Sequence, residues 1–164
     1  MRVLVVYGSK RGGTAGLAQM IGDALIAGGL AADACPARHA GSPADYDAVI
    51  VAGALYASRW HHDARRFARR NARVLRTLPV WLVASGPLDD SARNGQLPPV
   101  RHVAKLVASL GARGHETFGG RLQSDAKGFP ASAMAKNRSG DWRDPDHVRE
   151  FAAVVATSLG VPIG

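Results

Sequence analysis

VLVVYGSKRGGTAGLAQMI, residues 3–21, decides how the chain is read. Val3 to Tyr7 form a short unbroken apolar run, which suits a strand buried on both faces. Leu17, Ala18, Ile21 and Leu25 then recur at helical spacing, and Gly28-Gly29 ends that helix. Between strand and helix stand Gly8, Ser9, Lys10, Arg11, Gly12, Gly13 and Thr14. They bring hydroxyls, cations, unobstructed backbone and the free amides of a helix start. Each of these suits a phosphate. The alternative is a tight glycine-rich turn that binds nothing, since short motifs carry false positives.

The alternation continues down the chain. Leu30 to Cys35 predicts a weaker second strand, and DAVIVAGA, Asp47 to Ala54, a strong buried third. Trp60 to Leu78 predicts one helix, with Ala64, Phe67, Ala68, Val74, Leu75 and Leu78 facing inward. VWLVAS, Val80 to Ser85, predicts a fourth strand, and Trp81 within it a core or sheet-face residue. Val100, Val103, Leu106, Val107 and Leu110 mark a helix, and His115 to Gly120 a weak fifth strand. A last helix carries Val148, Phe151, Ala152, Val155 and Leu159, with Asp144 as N-cap and Pro145 at its first position. Strands alternating with helices predict a parallel sheet covered on both faces. No repeat or linker divides the chain, so residues 1–164 read as a single domain. Leu122 to Arg143 lacks pattern and is too long for a routine turn, which predicts a functional or mobile loop.

Hydrophobic residues at 46% and charged residues at 21% exclude a disordered or membrane-embedded chain. The apolar run after Arg2 is too short for a secretory signal, and no stretch is long enough to span a bilayer. Cys35 is the only cysteine, so the chain has neither a disulfide nor a paired zinc pattern, and no metal is expected. A cytoplasmic protein is the reading. The net charge of +8 favours anionic partners: nucleic acid, an acidic membrane, an acidic redox protein or a phosphorylated cofactor. Arginine-rich, GC-rich genomes also yield basic chains with no such role.

Neither GxGxxG nor GxxxxGK[ST] is present in the loop. The acidic residues of a response-regulator receiver are missing too, because the matching places read Gly8-Ser9 and Gly53-Ala54. GxSxG is also absent, so no serine-hydrolase elbow exists. VVYGSKRGGTAGLAQMI, residues 5–21, instead resembles the flavodoxin signature, with Tyr7, Ser9, Gly12, Thr14 and Ala18 in register. DYDAVIVAGALYASRWHHDARRF, LPVWLVASGPLD and GDWRDPDHVREFA resemble the branch of that superfamily containing menaquinone-dependent protoporphyrinogen oxidase. Within it, Tyr56 stands where arginine is expected and Ala54 where serine is. The resemblance implies a flavodoxin-like three-layer α/β sandwich, with a five-stranded parallel sheet in the order 2-1-3-4-5. It also implies FMN. Ser9, Lys10, Arg11, Gly12, Gly13 and Thr14 would hold its phosphate. The stretch Ala54, Leu55, Tyr56, Ala57 to Trp60 would lie against its ring, with Ser85, Gly86 and Pro87 at the other edge.

Other residues admit two readings each. Tyr56 and Trp60 could stack on a ring, or Trp60 could pack under the following helix. His61 is the catalytic candidate, able to deliver or take a proton near the flavin because imidazole titrates near neutral pH; the simpler reading is a surface histidine at a helix start. His61 and His62, as adjacent helical residues, should face apart and share no metal. Arg66, Arg69, Arg70 and Arg73 fall on one helix face. That face is a contact for an anionic membrane or an acidic redox partner, or simply a solvated surface. Nucleic acid is not expected, for no recognised binding module accompanies the arginines.

Together these readings predict an FMN-dependent oxidoreductase linking an organic donor, protoporphyrinogen-like in the sharpest version, to a quinone or redox-protein acceptor. One alternative is a non-enzymatic flavodoxin-type electron carrier, against which the basic charge counts. The other is a flavin-free interaction or regulatory domain.

Overall fold

The computed structural model describes residues 1–10, 12–86, 91–94, 97–122 and 140–162. In chain order the elements are β1 (Arg2–Gly8), α1 (Gly13–Ala27), β2 (Ala31–Pro36), β3 (Ala48–Tyr56), β4 (Arg59–Trp60), α2 (His62–Arg70) and α3 (Ala72–Leu75). They continue as β5 (Val80–Ser85), α4 (Ser91–Asn94), α5 (Arg101–Leu110), β6 (Gly114–Phe118), β7 (Arg121–Leu122), β8 (Gly140–Asp141) and α6 (Pro145–Ser158). Two short 3₁₀ turns, Ala37–His39 and Pro43–Asp45, join β2 to β3.

The apolar runs do form the sheet. Five strands pair in parallel in the spatial order β2-β1-β3-β5-β6. Setting aside the two-residue β4, this is the order 2-1-3-4-5 of a flavodoxin-like sandwich.

Alternate residues of each strand serve opposite layers, as the pleat requires. Val3 and Val5 face α1 and α6, meeting Leu17, Ile21, Leu25, Phe151 and Val155. Leu4 and Val6 face α2, α3 and α5, meeting Phe67, Leu75, Val103 and Leu106. Each fully buried aliphatic side chain contributes about 1.5–3 kcal/mol to folding. Trp81 is buried in the first layer.

The elements depart from the sequence reading at several points. The single helix expected from Trp60 to Leu78 is two, broken at Asn71, where backbone φ is −104° and ψ is 15°. Asn71 turns its amide back to donate to the Phe67 carbonyl at 3.0 Å, competing with helix continuation. The fifth strand stops at Phe118 rather than Gly120. The segment Leu122 to Arg143 is tied at its ends by the antiparallel pair β7-β8, while 123–139 lie outside the described residues. Asp144 caps α6 as expected, its carboxylate accepting from the amides of Asp146 at 2.9 Å and His147 at 3.4 Å.

Candidate functional site

The loop after β1 reaches α1 through Gly12, whose φ of 79° lies in the left-handed region where a side chain is strained. Gly12 supplies no side-chain cap, and the first turn of α1 contains no acidic residue. Among the described residues no side chain accepts from the amides of that turn, and the helix dipole leaves the spot positive. Lys10 adds an exposed cation. Thr14 is 2% exposed and Ser9 half-buried. Arg11 lies outside the described residues.

A second turn stands beside the first. β3 runs to Tyr56, the chain reverses through Ala57 (φ 49°) and Ser58 (φ 61°), and β4 pairs Leu55 with Trp60 and Tyr56 with Arg59. Two successive positive φ values match the twist of a tight hairpin, a geometry that normally selects Asn-Gly. The tip touches the first loop: the Lys10 amide donates to the Tyr56 hydroxyl at 3.2 Å.

Trp60 is corrected by this geometry. Its indole lies under the sheet in the α2 layer, 2% exposed, with its N–H donating to the Val83 carbonyl at 3.1 Å. It packs and does not face a ligand. The indole fits there because Gly53 has no Cβ; one would collide with the indole nitrogen. The backbone amide of Trp60 donates to Nε2 of His102 at 2.9 Å, which joins the hairpin to α5.

The third segment at this edge follows β5. Ser85 is buried, and the Gly86 amide donates to the Phe118 carbonyl at 3.1 Å. A Cβ on Gly86 would sit 2.9 Å from Leu55 Cδ1, so the β5 and β3 turns are in contact. Pro87 lies outside the described residues.

His61 is buried rather than on the surface, which corrects the simpler reading. It is the N-cap of α2, in extended backbone outside the helix, and its Nδ1 accepts from the Asp63 amide at 3.1 Å. The acceptor nitrogen is unprotonated, which leaves Nε2 carrying the hydrogen. Burial pushes its pKa below the usual 6.5, opposed by Asp63 and reinforced by His62, Lys10 and Arg38. Because His61 is a cap, its ring does not diverge from that of His62. The two stack at 4.7 Å with 23° between their planes, contrary to the expectation for helical neighbours. Donor atoms of His61, His62 and Asp63 lie within 4.8 Å of one another, the one such group among the described residues. Its setting suits anions better than a metal ion, because Lys10 and Arg38 line the same cavity.

That cavity, about 470 Å³, opens between the first loop, the end of β2 and the start of α2. Ser9, Lys10, Arg38, His61 and His62 converge on it. Arg38 was not legible as a site residue, since it follows a weak strand with no motif around it. Arg143 was missed for a similar reason. Its guanidinium pairs with Asp141 at 2.7 Å, reaches the Gly13 carbonyl at 3.4 Å and covers Gly16.

The arginine face is also redrawn. Arg66, Arg69 and Arg70 are exposed on α2, but Arg73 belongs to α3, beyond the break. A groove of about 540 Å³ is lined by His62, Arg65, Arg66, Arg69 and Arg70. No helix of the described residues is long and apolar enough to cross a membrane.

Comparison with known proteins agrees with this architecture. No curated protein matches the chain. Rubredoxin oxygen:oxidoreductase from the anaerobe Desulfovibrio gigas superposes with a TM-score of 0.65 at 14% identity, over 97% of this chain and 36% of that one. The chain thus spans about a third of that protein. Two-electron reduced Megasphaera elsdenii flavodoxin gives a TM-score of 0.62 at 18% identity, over 93% of this chain and 98% of that one. The Streptococcus pneumoniae TIGR4 flavodoxin gives 0.60 at 17% identity, over 96% and 99%. At these identities the likeness is one of fold. Residues 4–135 match the family described as Flavodoxin domain, so the chain belongs to that family, whose general work is electron transfer.

Proposed function

We propose that the chain is an FMN-dependent oxidoreductase passing electrons between an organic donor and a quinone or similar acceptor. The observation that carries the reading is the start of α1: uncapped, free of acid and beside Lys10. A phosphomonoester is the group this donor set fits. Ser9, Lys10, Gly12, Gly13 and Thr14 would hold the phosphate, joined by Arg11. A phosphate there would compete with the Tyr56 hydroxyl for the Lys10 amide. Ala54, Leu55, Tyr56 and Ala57 would lie against the ring, with Ser85, Gly86 and Pro87 at its other edge. When bound, FMN supplies the redox centre, and the protein supplies orientation and electrostatics.

The chain's own residues have limited and definite tasks. Backbone groups of the β3 and β5 turns offer donors and acceptors to a planar heterocycle. Leu55 and Tyr56, both half-buried, shield it from water on one side. His61 has its pKa lowered by burial and its Nδ1 occupied by the Asp63 amide, so the neutral ring offers a hydrogen bond from Nε2–H rather than a proton. A donor of protoporphyrinogen type is the sharpest form of the proposal, and rests on the likeness of the strand and last-helix segments to that branch.

The test is steady-state oxidation of protoporphyrinogen under anaerobic conditions with menadione as acceptor, followed by porphyrin fluorescence. FMN-loaded protein should turn over repeatedly and the flavin-free form should not. Reduced flavin that is reoxidised by menadione once, with no porphyrin formed, would remove the protoporphyrinogen assignment and leave a carrier.

A further inference from the structure

We propose that the exposed face of α2 is the docking site for an acidic protein surface. Four arginines, Arg65, Arg66, Arg69 and Arg70, stand within two turns of helix and line one groove with His62. Among the described residues no carboxylate pairs with any of them; the acid of this helix, Asp63, is engaged by His62 at 2.9 Å. Like charges on adjacent turns repel, so the face lowers its energy when an anionic surface covers it.

The patch is continuous with the candidate site. His62 lines both the groove and the cavity beside the first loop. Arg65, Arg59 and Arg69 all bear on His102, whose Nε2 holds the hairpin that would meet the ring. A protein seated on α2 would therefore lie against the edge where electrons enter or leave.

A membrane is the poorer occupant. Helices that lie on bilayers pair their basic residues with apolar side chains that enter the interface. The apolar side chains of α2, Ala64, Phe67 and Ala68, are all turned into the core. Among the described residues the exposed large apolar side chains within helices are Ile26 on α1 and Val154 on α6, on the opposite layer. A groove also accepts projecting carboxylates better than it accepts a flat lipid surface.

The redox role of such a partner rests on the FMN reading above; the docking does not. A fluorescein-labelled peptide of glutamates, read by anisotropy at low salt, serves as the probe. Vesicles of phosphatidylserine and phosphatidylcholine serve as the competing one. Arg66→Glu, Arg69→Glu and Arg70→Glu should together weaken peptide binding by at least about tenfold. Arg69→Glu alone should weaken it more than Arg149→Glu, which changes net charge equally from an exposed position on α6. Circular dichroism checks that each variant folds. Equal effects of Arg69→Glu and Arg149→Glu, absence of peptide binding, or tighter binding to vesicles than to the peptide would each overturn the proposal. Flavin content is measured on the same samples. Colourless protein that binds the peptide keeps the docking site and loses its redox role; flavin-loaded protein indifferent to the peptide loses the docking site alone.

Discussion

The loop from Gly8 to Thr14 and the hairpin from Leu55 to Trp60 stand one hydrogen bond apart, yet they are built by different means. The loop is shaped by what its residues lack. Gly12 takes a left-handed φ of 79° at little cost, and among the described residues no side chain caps the start of α1. The hairpin is shaped by what its neighbours supply. Ala57 and Ser58 hold φ values of 49° and 61° that their own side chains disfavour. Trp60, anchored to Val83 and His102, compensates for that strain from below. A backbone-made site leaves its amides for a ligand, whereas a side-chain-made one spends its polar groups on the fold.

The largest effect should come from removing the anchor. Trp60→Ala should lower stability by about 3–5 kcal/mol, read from urea unfolding, because a buried ring and its hydrogen bond vanish together. A cost below about 1 kcal/mol would mean that the hairpin does not depend on Trp60. Thr14→Val tests the other turn. It keeps the volume of a residue that is 2% exposed and removes only the hydroxyl. FMN affinity measured by calorimetry should fall at least tenfold, about 1.4 kcal/mol. Unchanged affinity would remove Thr14 from the phosphate site.

A smaller effect should run the opposite way. Ser58→Gly should stabilise the protein by up to about 1 kcal/mol, as glycine relieves the positive φ. A loss of stability would show that the Ser58 side chain contributes more than its backbone strain costs. The least effect should be pH dependence, shared between the hairpin side and His115 on β6, whose pKa burial also lowers. Burial lowers the pKa of both His61 and His102 from the usual 6.5, with nearby cations adding to it. The unfolded chain therefore binds protons more readily than the folded one. This contribution to stability is present above pH 6.5 and lost as pH falls through the lowered folded values. Urea midpoints at successive pH values should decline below 6.5, less so in His102→Asn, and a flat profile would contradict the assignment.

How much of this was legible in the sequence follows the same division. Strands carried by continuous apolar runs, such as Val3 to Tyr7 and Val80 to Ser85, declare themselves because burial on both faces needs no partner to be specified. The Asp144-Pro145 cap was legible for a local reason: its bonds close within three residues. The hairpin was not, since Ala57-Ser58 carries no turn signal and owes its shape to residues far along the chain. Trp60 and Arg143 also take their places from distant partners, at Val83 and Gly13. The break at Asn71 falls in a stretch whose apolar spacing continues through it, so periodicity alone joined α2 to α3.

The central claim is that the edge formed by these two turns holds FMN. The most direct test is the visible absorption spectrum of the purified protein, mixed with FMN and then desalted. Flavin bands close to one equivalent per chain, and reduced in Thr14→Val, are the predicted result. A colourless protein after reconstitution would contradict the claim, leave the fold intact and favour a flavin-free interaction domain.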